Sequence, residues 1–314
     1  MSRAVVATAV GGPEVLSVVD VEDDSPGEGQ VAVAVRAAGV NPVDAKLYSG
    51  RMGRDAPLPI RLGMEASGVV TGVGPNAVGP RGSLAVGDEV ILYRINGAYA
   101  DRVVVDADAA VPKPPAMSFE EAAGLMLTGA TAIHALTATA VQPGDTVLIH
   151  GASGGVGQMA VQIAVARGVR VIGTASAARH DLLRALGAEP VAYGAGLADR
   201  VRALAPDDID AAIDTVGTDE AVDVSLELVP DRGRIATIAA FGRGSAAGIK
   251  VLGGGPGGDA GVDIRNAARL ELVDLVDAQR LTVAVAATYP FTDAAAAHTA
   301  ILSGHTARKI VLVP

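Results

Sequence analysis

The chain has 314 residues, half of them hydrophobic, which is enough for two domains with substantial cores. A net charge of -10, the absence of tryptophan and an aromatic share of 3% disfavour nucleic-acid binding. The absence of cysteine excludes disulfides, thiolate metal sites and a cysteine nucleophile, and it fits a reducing compartment, so we expect a cytoplasmic protein.

The first third of the chain predicts a β-rich domain. Residues 30–40 (QVAVAVRAAGV) alternate along the chain, and residues 67–74 and 100–112 are also typical of strands, with glycine and proline turns between them. No window of about 20 residues lacks charged and polar groups, so we expect no membrane span.

The middle of the chain predicts strands that alternate with helices. Residues 117–140 have a helical period, with Ser118 as the expected N-cap. Apolar runs at 146–151, 169–175, 189–193, 210–217 and 232–240 then alternate with helical stretches, which implies an α/β fold with a parallel doubly wound sheet. Residues 248–261 are glycine-rich and predict a loop, and residues 289–314 predict a helix and a final strand.

The sequence GASGGVG at 151–157 stands where a predicted strand turns into a helix. A helix N-terminus offers unpaired N–H groups and a positive dipole end, on which a pyrophosphate settles if no Cβ intervenes. Gly155 and Gly157 are then expected to let the helix lie close to the sheet. The pattern alone leaves open a tight turn without a ligand, but the flanking elements favour a dinucleotide site.

The end of the next strand bears on the cofactor. NAD sites place a carboxylate there for the ribose 2′-hydroxyl, whereas this chain has Ala175, followed by Ser176 and Arg179. A hydroxyl and a guanidinium suit a 2′-phosphate, so NADPH is favoured over NADH. The alternative is that Arg179 is an ordinary surface residue.

Seven segments, in order, carry a family resemblance. They are AAGVNPVDAK (37–46), GMEASGVV (63–70), VGDEV (86–90), GAYAD (97–101), SFEEAAGLMLTGATA (118–132), GASGGVG (151–157) and GHTARKIVLV (304–313). With them the chain resembles the zinc-free quinone oxidoreductases of the medium-chain dehydrogenase/reductase superfamily. The resemblance implies a GroES-like β-rich catalytic domain (1–115 and 285–314), a Rossmann NADPH-binding domain (116–284) and a homodimer.

The resemblance also bears on metal binding. Zinc enzymes of the superfamily have their catalytic ligands where this chain has Asn41, Met64 and Gly124, none of which suits Zn²⁺, although Glu65 is retained. We therefore expect no bound metal. Hydride addition to a quinone or an enone needs only hydrogen-bond donors for the developing oxygen charge.

Ten positions are carried over from the family as cofactor contacts. They are Asn41 and Thr128 at the nicotinamide, Gly154, Gly155 and Val156 at the pyrophosphate, Ser176, Arg179 and Tyr193 at the 2′-phosphate, and Gly217 and Phe241 at the nicotinamide ribose. For Tyr193 the alternative is a half-buried strand residue.

The residues that meet the substrate are less defined by the sequence. Asn41, Lys46, Tyr48 and Tyr93 are candidates, with packing or surface roles as the alternative for the last three. Many relatives have tyrosine at positions 46 and 52, where this chain has lysine and methionine, so the catalytic group stays unassigned. His134 and His298 are interpreted as packing or surface residues, and Asp44 as the holder of a turn.

Three functions are consistent with these residues. The first is an NADPH-dependent reductase of a quinone or an activated C=C bond in an enone or enal. The second is a reductase of one dedicated biosynthetic enone, such as a polyketide intermediate. The third is a non-catalytic NADPH-binding sensor or crystallin-like protein. The sequence does not decide whether residues 253–261 cover the substrate.

Overall fold

The computed structural model describes residues 1–50, 57–206, 208–255, 257–304 and 308–314, which form two compact units. The first unit comprises Met1–Leu127, Leu272–Asp277 and Thr282–Pro314, and the second comprises Thr128–Glu271 and Ala278–Leu281. The domain limits given above stay a prediction. In the part of the chain so described, no helix has the length and apolar composition that crossing a membrane requires.

The described residues include eighteen strands and ten α-helices. The strands are β1 (Ser2–Ala7), β2 (Leu16–Val21), β3 (Gln30–Val40), β4 (Ile60–Arg61), β5 (Glu65–Val73), β6 (Val78–Gly79), β7 (Gly82–Ser83), β8 (Glu89–Tyr93), β9 (Arg102–Asp106), β10 (Ala110–Pro112), β11 (Thr146–His150), β12 (Arg170–Ala175), β13 (Glu189–Ala192), β14 (Ala211–Asp214), β15 (Ile235–Thr237), β16 (Lys250–Val251), β17 (Val285–Pro290) and β18 (Lys309–Val313). The helices are α1 (Pro42–Tyr48), α2 (Phe119–Ala122), α3 (Met126–Ala138), α4 (Gly155–Ala166), α5 (His180–Ala185), α6 (Leu197–Leu204), α7 (Asp219–Leu228), α8 (Phe241–Ala247), α9 (Val262–Asp277) and α10 (Ala294–Leu302).

The first unit is built on β-sheets, as the sequence predicts. A seven-stranded sheet runs in the order β10-β8-β5-β3-β18-β17, with β9 also paired to β3, and a three-stranded sheet runs β2-β1-β4. In β3 the residues Val31, Ala32 and Val33 are all buried, so both faces of this strand are covered there. The alternation of valine and alanine in the sequence therefore reflects side-chain size more than exposure.

The second unit contains a six-stranded sheet in the order β13-β12-β11-β14-β15-β16, and every pairing in it is parallel. This confirms the predicted doubly wound sheet. Its central strand, β11, is apolar because helices cover both faces, and Val147, Leu148 and Ile149 are all fully buried. Strand order reverses between β11 and β14, and ligands of such sheets bind at the carboxyl ends of the strands near that point.

Two regions differ from the predicted elements. The helical stretch at 117–140 is divided into α2 and α3, with Gly124 between them. The predicted cap is confirmed, since Ser118 Oγ accepts the N–H of Glu121. The loop predicted at 248–261 contains the short edge strand β16. The sequence did not predict this strand, because glycines are frequent around it and are typical of loops.

Candidate cofactor and substrate sites

The turn between β11 and α4 is made by glycines with different roles. Gly151 has a φ of +68°, which favours glycine. A Cβ on Gly157 would lie 2.3 Å from the carbonyl oxygen of Gly151, so Gly157 allows the helix to approach the strand. A Cβ on Gly155 would meet only Thr128 Cγ2, at an ordinary 3.4 Å. The expectation that Gly155 also serves helix packing is therefore wrong, because packing leaves room for a side chain there.

Neighbouring elements hold this turn in place. The N–H of Gly151 donates to Thr174 Oγ1 at 3.1 Å, and the N–H of Ala152 donates to the carbonyl of Thr174 at 3.0 Å. From α4, Gln158 Nε2 donates to the carbonyl of Ser153 at 2.7 Å. The N–H groups of Gly155 and Val156, at the start of α4, are thus presented by a fixed loop. The N–H of Gly154 is used inside the turn, where it donates to the carbonyl of Gly151 at 2.9 Å. A helix N-terminus of this kind can bind a phosphate.

A group of free hydrogen-bond donors lies beside this turn. Ala175 on β12 pairs with Ala192 on β13, so Ser176 and Tyr193 follow at the same edge of the parallel sheet. Ser176 and Arg179 are exposed, and Tyr193 is 60% exposed. Within the described ranges, none of these three side chains has a hydrogen-bond or ion-pair partner.

The other arginines near this edge already have partners. Arg184 binds Asp181 at 2.7 Å, and Arg200 donates to the carbonyls of Ala192 and Gly194, both at 2.8 Å. Asp181, the first acid after Ala175, therefore has a cationic partner of its own. The edge presents a guanidinium, a hydroxyl and a phenol, which is the chemistry that a phosphate requires. The nearby carboxylate of Glu220 accepts the N–H of Gly194 at 3.0 Å.

The predicted positions Gly217 and Phe241 are linked by a buried carboxylate. Asp214 ends β14, is 1% exposed, and accepts the N–H of Gly217 at 2.8 Å. Its other oxygen accepts the Thr237 hydroxyl at 2.7 Å, and Thr237 Oγ1 accepts the N–H of Ala240, just before α8 begins at Phe241. Asp214 was missed by the sequence analysis, although a single acid ending an apolar strand was a usable signal.

The glycine-rich loop at 253–261, whose residue 256 lies outside the described residues, is tied to its surroundings. The N–H of Gly253 donates to the carbonyl of Asp259 at 2.7 Å. The carboxylate of Asp259 lies 3.2 Å from Nε2 of His134, which is fully buried in α3. A Cβ on Gly255 would lie 2.7 Å from the ring of Phe241. His134 is therefore a buried residue, as predicted, that also anchors this loop.

In the first unit, Asn41 belongs to a buried polar cluster. Its Nδ2 donates to Glu65 Oε1 at 2.9 Å and to the carbonyl of Gly39 at 3.2 Å, and its Oδ1 accepts Lys309 Nζ at 2.5 Å. Glu65 Oε2 accepts the N–H of Leu127 at 2.8 Å. The amide of Asn41 is thus fully used inside the protein, and its contact with cofactor or substrate stays a prediction.

Two further positions of the zinc pattern can be compared with this cluster. A Cβ on Gly124 would lie 2.5 Å from Lys309 Cγ, so the stem of this lysine occupies the space where a ligand side chain would begin. Met64 precedes Glu65 and offers no ligand that suits Zn²⁺. In the part of the chain that the structure describes, no group of three or more His, Cys, Asp or Glu residues is arranged to hold a metal ion.

The remaining substrate candidates differ in their exposure and in whether their side chains already have hydrogen-bond partners. Tyr48 is 1% exposed and its hydroxyl lies 2.9 Å from Nδ1 of His298, which α10 carries. Tyr93 is 3% exposed and also has a partner. Lys46 is exposed, and its ammonium has no partner among the residues described. Position 52, where many relatives have tyrosine, lies outside the described residues.

Burial governs the ionisation of two side chains of the first unit, Asp44 in α1 and His298 in α10. Asp44 accepts the N–H of Asn41 at 2.9 Å, so it holds the turn as predicted, and it accepts the Tyr99 hydroxyl at 3.0 Å. Burial raises the pKa of Asp44 to about 7, in spite of these bonds. Burial lowers the pKa of His298 to about 4. At neutral pH, His298 is therefore uncharged.

Comparison with family models supports both units. Residues 27–115 match the model described as alcohol dehydrogenase GroES-like domain, and residues 155–253 match the model described as zinc-binding dehydrogenase. The expected pairing of a GroES-like domain with a Rossmann domain is confirmed.

Curated relatives align with part of their length. The synaptic vesicle membrane protein VAT-1 homolog of Mus musculus is 35% identical over 217 residues, which are 68% of this chain and 52% of that protein. The polyketide synthase GfsB of Streptomyces halstedii is 40% identical over 208 residues, which are 66% of this chain and 4% of that protein. The chain thus spans about half the length of the mouse relative.

Solved structures match over the full length. A mycobacterial quinone oxidoreductase is 33% identical with a TM-score of 0.82, and the match covers 100% of both chains. The Escherichia coli quinone oxidoreductase complexed with NADPH is 29% identical with a TM-score of 0.85, and it covers 99% of this chain and 100% of that one.

Proposed function

The chain belongs to the quinone oxidoreductase branch of the medium-chain dehydrogenase/reductase superfamily, and on that basis we propose that this oxidoreductase uses NADPH to reduce a quinone or an activated C=C bond without a metal. One observation carries the choice of cofactor. Ser176, Arg179 and Tyr193 have donor side chains at one sheet edge that find no partner among the described residues, and Ala175 stands where NAD sites have an acid. A 2′-phosphate satisfies these donors, whereas the 2′-hydroxyl of NADH leaves them unused.

The glycine turn supports the same proposal. The protein leaves space above Gly155, although side-chain packing does not require glycine there. We propose that the pyrophosphate occupies this space beside Gly154 and accepts the N–H groups of Gly155 and Val156. Thr128, Gly217 and Phe241 then bind the nicotinamide end, with Asp214 and Thr237 fixing the last two positions.

The bound nicotinamide supplies the hydride, and the protein must stabilise the charge that develops on the substrate oxygen. Asn41 has committed both N–H donors of its amide within the protein, and the buried Tyr48 hydroxyl is hydrogen-bonded to Nδ1 of His298. Lys46 keeps its ammonium free among the described residues, so we propose it as the donor to this oxygen. Solvent provides the proton that completes a hydroquinone or a saturated carbonyl product.

A second candidate is a reductase of one biosynthetic enone. The 40% identity to a polyketide synthase over 208 residues favours it. The two candidates share the cofactor and the charge stabilisation, and they differ in the shape of the substrate. A protein that binds NADPH without turnover is the third outcome of the same test.

The test is NADPH oxidation by the purified full chain over a panel of quinones, enals, enones and enoyl thioesters, with NADH in parallel. Broad quinone and enone turnover supports the first candidate, and turnover confined to enoyl thioesters supports the second. EDTA should leave the rate unchanged, and elemental analysis should find far less than one zinc per chain. NADPH binding without any turnover, or faster turnover with NADH, would contradict the proposal.

We also propose that the chain forms a homodimer and acts in the cytoplasm, as the family resemblance and the absence of cysteine suggest. Light scattering on the purified protein should give twice the mass of one chain. A monomer at micromolar concentration would contradict the dimer.

A further inference from the structure

We infer that Arg200 is a positioning residue for cofactor specificity, because its guanidinium fixes the loop that carries Tyr193. The inference rests on the proposed function, since it concerns how the protein distinguishes NADPH from NADH. It adds a residue that does not itself contact the phosphate, and it explains how an exposed phenol is held in place.

The guanidinium of Arg200 binds the main chain on both sides of Tyr193. Nε and Nη2 donate to the carbonyl of Ala192 at 3.1 and 2.8 Å, and Nη2 also donates to the carbonyl of Gly194 at 2.8 Å. Nη1 donates to the carbonyl of Ala195 at 2.7 Å. Only the planar fork of an arginine offers donors in this arrangement, since a lysine ammonium is a single point with three donors.

The shape of the loop explains why a cation is needed there. Gly194 and Gly196 have φ values of +98° and +79°, so the chain turns sharply after β13. Three carbonyl oxygens of this turn, those of Ala192, Gly194 and Ala195, converge on the one guanidinium, which holds them together. On the other side of the loop, Glu220 Oε2 accepts the N–H of Gly194 at 3.0 Å. Charged side chains therefore bind both kinds of backbone group in this loop, since Arg200 donates to its carbonyls and Glu220 accepts one of its N–H groups.

In contrast to the bound backbone around it, the side chain of Tyr193 is exposed. Tyr193 is 60% exposed and its side chain has no described partner, although the backbone on both sides of it is bound. A fixed backbone that presents a free donor is what a preorganised ligand contact requires. Most of the N–H groups of Arg200 are used by the loop, so it acts through Tyr193 and does not bind the phosphate itself.

The test measures binding of 2′,5′-ADP and 5′-AMP to the full chain by calorimetry, because the two probes differ only by the 2′-phosphate. Arg200→Lys keeps the charge and loses the fork. We expect it to weaken 2′,5′-ADP about tenfold, as for the loss of one charge-assisted hydrogen bond, and to change 5′-AMP less than about twofold. The matched control is Arg202→Lys on the same helix, whose guanidinium binds Asp199 and Glu227. It should change neither probe.

Tyr193→Phe and the double variant show whether the two residues act together. If Arg200 acts through Tyr193, the double variant binds 2′,5′-ADP no more weakly than Tyr193→Phe alone. Additive losses, or unchanged discrimination in Arg200→Lys, would overturn the inference.

Two further outcomes are distinguishable from these. If Arg200→Lys fails to fold, Glu220→Ala removes the acceptor of the Gly194 N–H, whereas Glu220→Gln removes the same charge and keeps an acceptor oxygen. Glu220→Ala should then discriminate less than Glu220→Gln, and equal discrimination in the two would overturn the inference. A wild type that binds the two probes equally would instead contradict the NADPH preference in the proposed function.

Discussion

The ammonium of Lys309 lies 2.8 Å from Oε1 of Glu65, and the two side chains are 5% and 0% exposed. Removing one member leaves an uncompensated charge inside the first unit. We expect Lys309→Met to lower the free energy of unfolding by about 3–5 kcal/mol. Urea unfolding of the purified protein measures this loss. The double variant Lys309→Met/Glu65→Gln should recover part of it, and a double variant less stable than Lys309→Met would contradict this account of the pair.

Replacing Arg179 by alanine should affect one cofactor only. The guanidinium is unpaired in the described structure and is proposed to meet the 2′-phosphate. We expect NADPH binding to weaken by about 1.5–3 kcal/mol, the range for a hydrogen bond to a charged group, while NADH binding changes little. Fluorescence titration measures both. Arg202→Ala, which removes an arginine of α6 that binds Asp199 and Glu227, is the control. Equal losses for the two cofactors would remove the phosphate role.

Two glycines of the turn should give opposite results. Gly155→Val places its Cβ where packing leaves room, so it should lower stability less than Gly157→Ala does, while NADPH affinity is lost. Gly157→Ala places its Cβ 2.3 Å from the carbonyl oxygen of Gly151, so it should destabilise the fold itself. Thermal unfolding with and without NADPH separates the effects, since only a binding variant gains stability from the ligand. A Gly155→Val protein stabilised by NADPH as strongly as wild type would contradict the proposal that the pyrophosphate binds above Gly155.

Lys46 should matter for turnover and not for cofactor binding. We expect Lys46→Met to lower kcat on quinones roughly 10- to 100-fold, somewhat less than for a preorganised oxyanion donor, because the ammonium is exposed. The Kd of NADPH should stay the same, and Lys46→Arg should retain part of the rate. Steady-state kinetics over the responsive substrates gives the comparison. An unchanged kcat in Lys46→Met would assign the donor role elsewhere.

His298 should make the first unit less stable in acid. Its pKa is about 4 in the folded chain because of burial, and about 6.5 when unfolded. Between these values only the unfolded state takes up the proton, so stability falls as the pH drops from 6.5 towards 4. His298→Gln should remove roughly 3 kcal/mol of this loss.

The measurement is urea unfolding of wild type and variant at pH 7, 5 and 4. Asp44 has the opposite slope, because burial raises its pKa to about 7 and its stabilising proton is lost as the pH rises. The difference between the two proteins cancels that contribution. Parallel stability profiles in the two proteins would show that His298 does not titrate as described.

Local patterns in the sequence predicted much of this molecule. The apolar run at 146–151 indicated a strand of a parallel sheet, and the glycines after it indicated a turn onto a helix. The division of roles between Gly155 and Gly157 was not predictable, because it depends on which backbone atoms lie opposite each Cα. The short strand β16 was hidden by the glycines beside it.

Polar contacts over long sequence distances were harder to predict. Glu65 and Lys309 are 244 residues apart, and the sequence around either residue does not indicate that they pair. Arg200 binds main-chain carbonyls, and such bonds leave no complementary side chain to find in the sequence. Asp214 was detectable in principle, since one acid at the end of an apolar strand has to be hydrogen-bonded.

The aromatic ring of Phe241 gives the glycine-rich loop a different meaning. Gly253, Gly255 and Gly258 all lie so close to this ring that an added Cβ would be within 3.3 Å of it, whereas Gly254 has open space. Runs of glycine are commonly equated with freedom of movement. Here three of them leave the space that the ring of Phe241 occupies. The glycine content of the loop therefore reflects its close packing against that side chain.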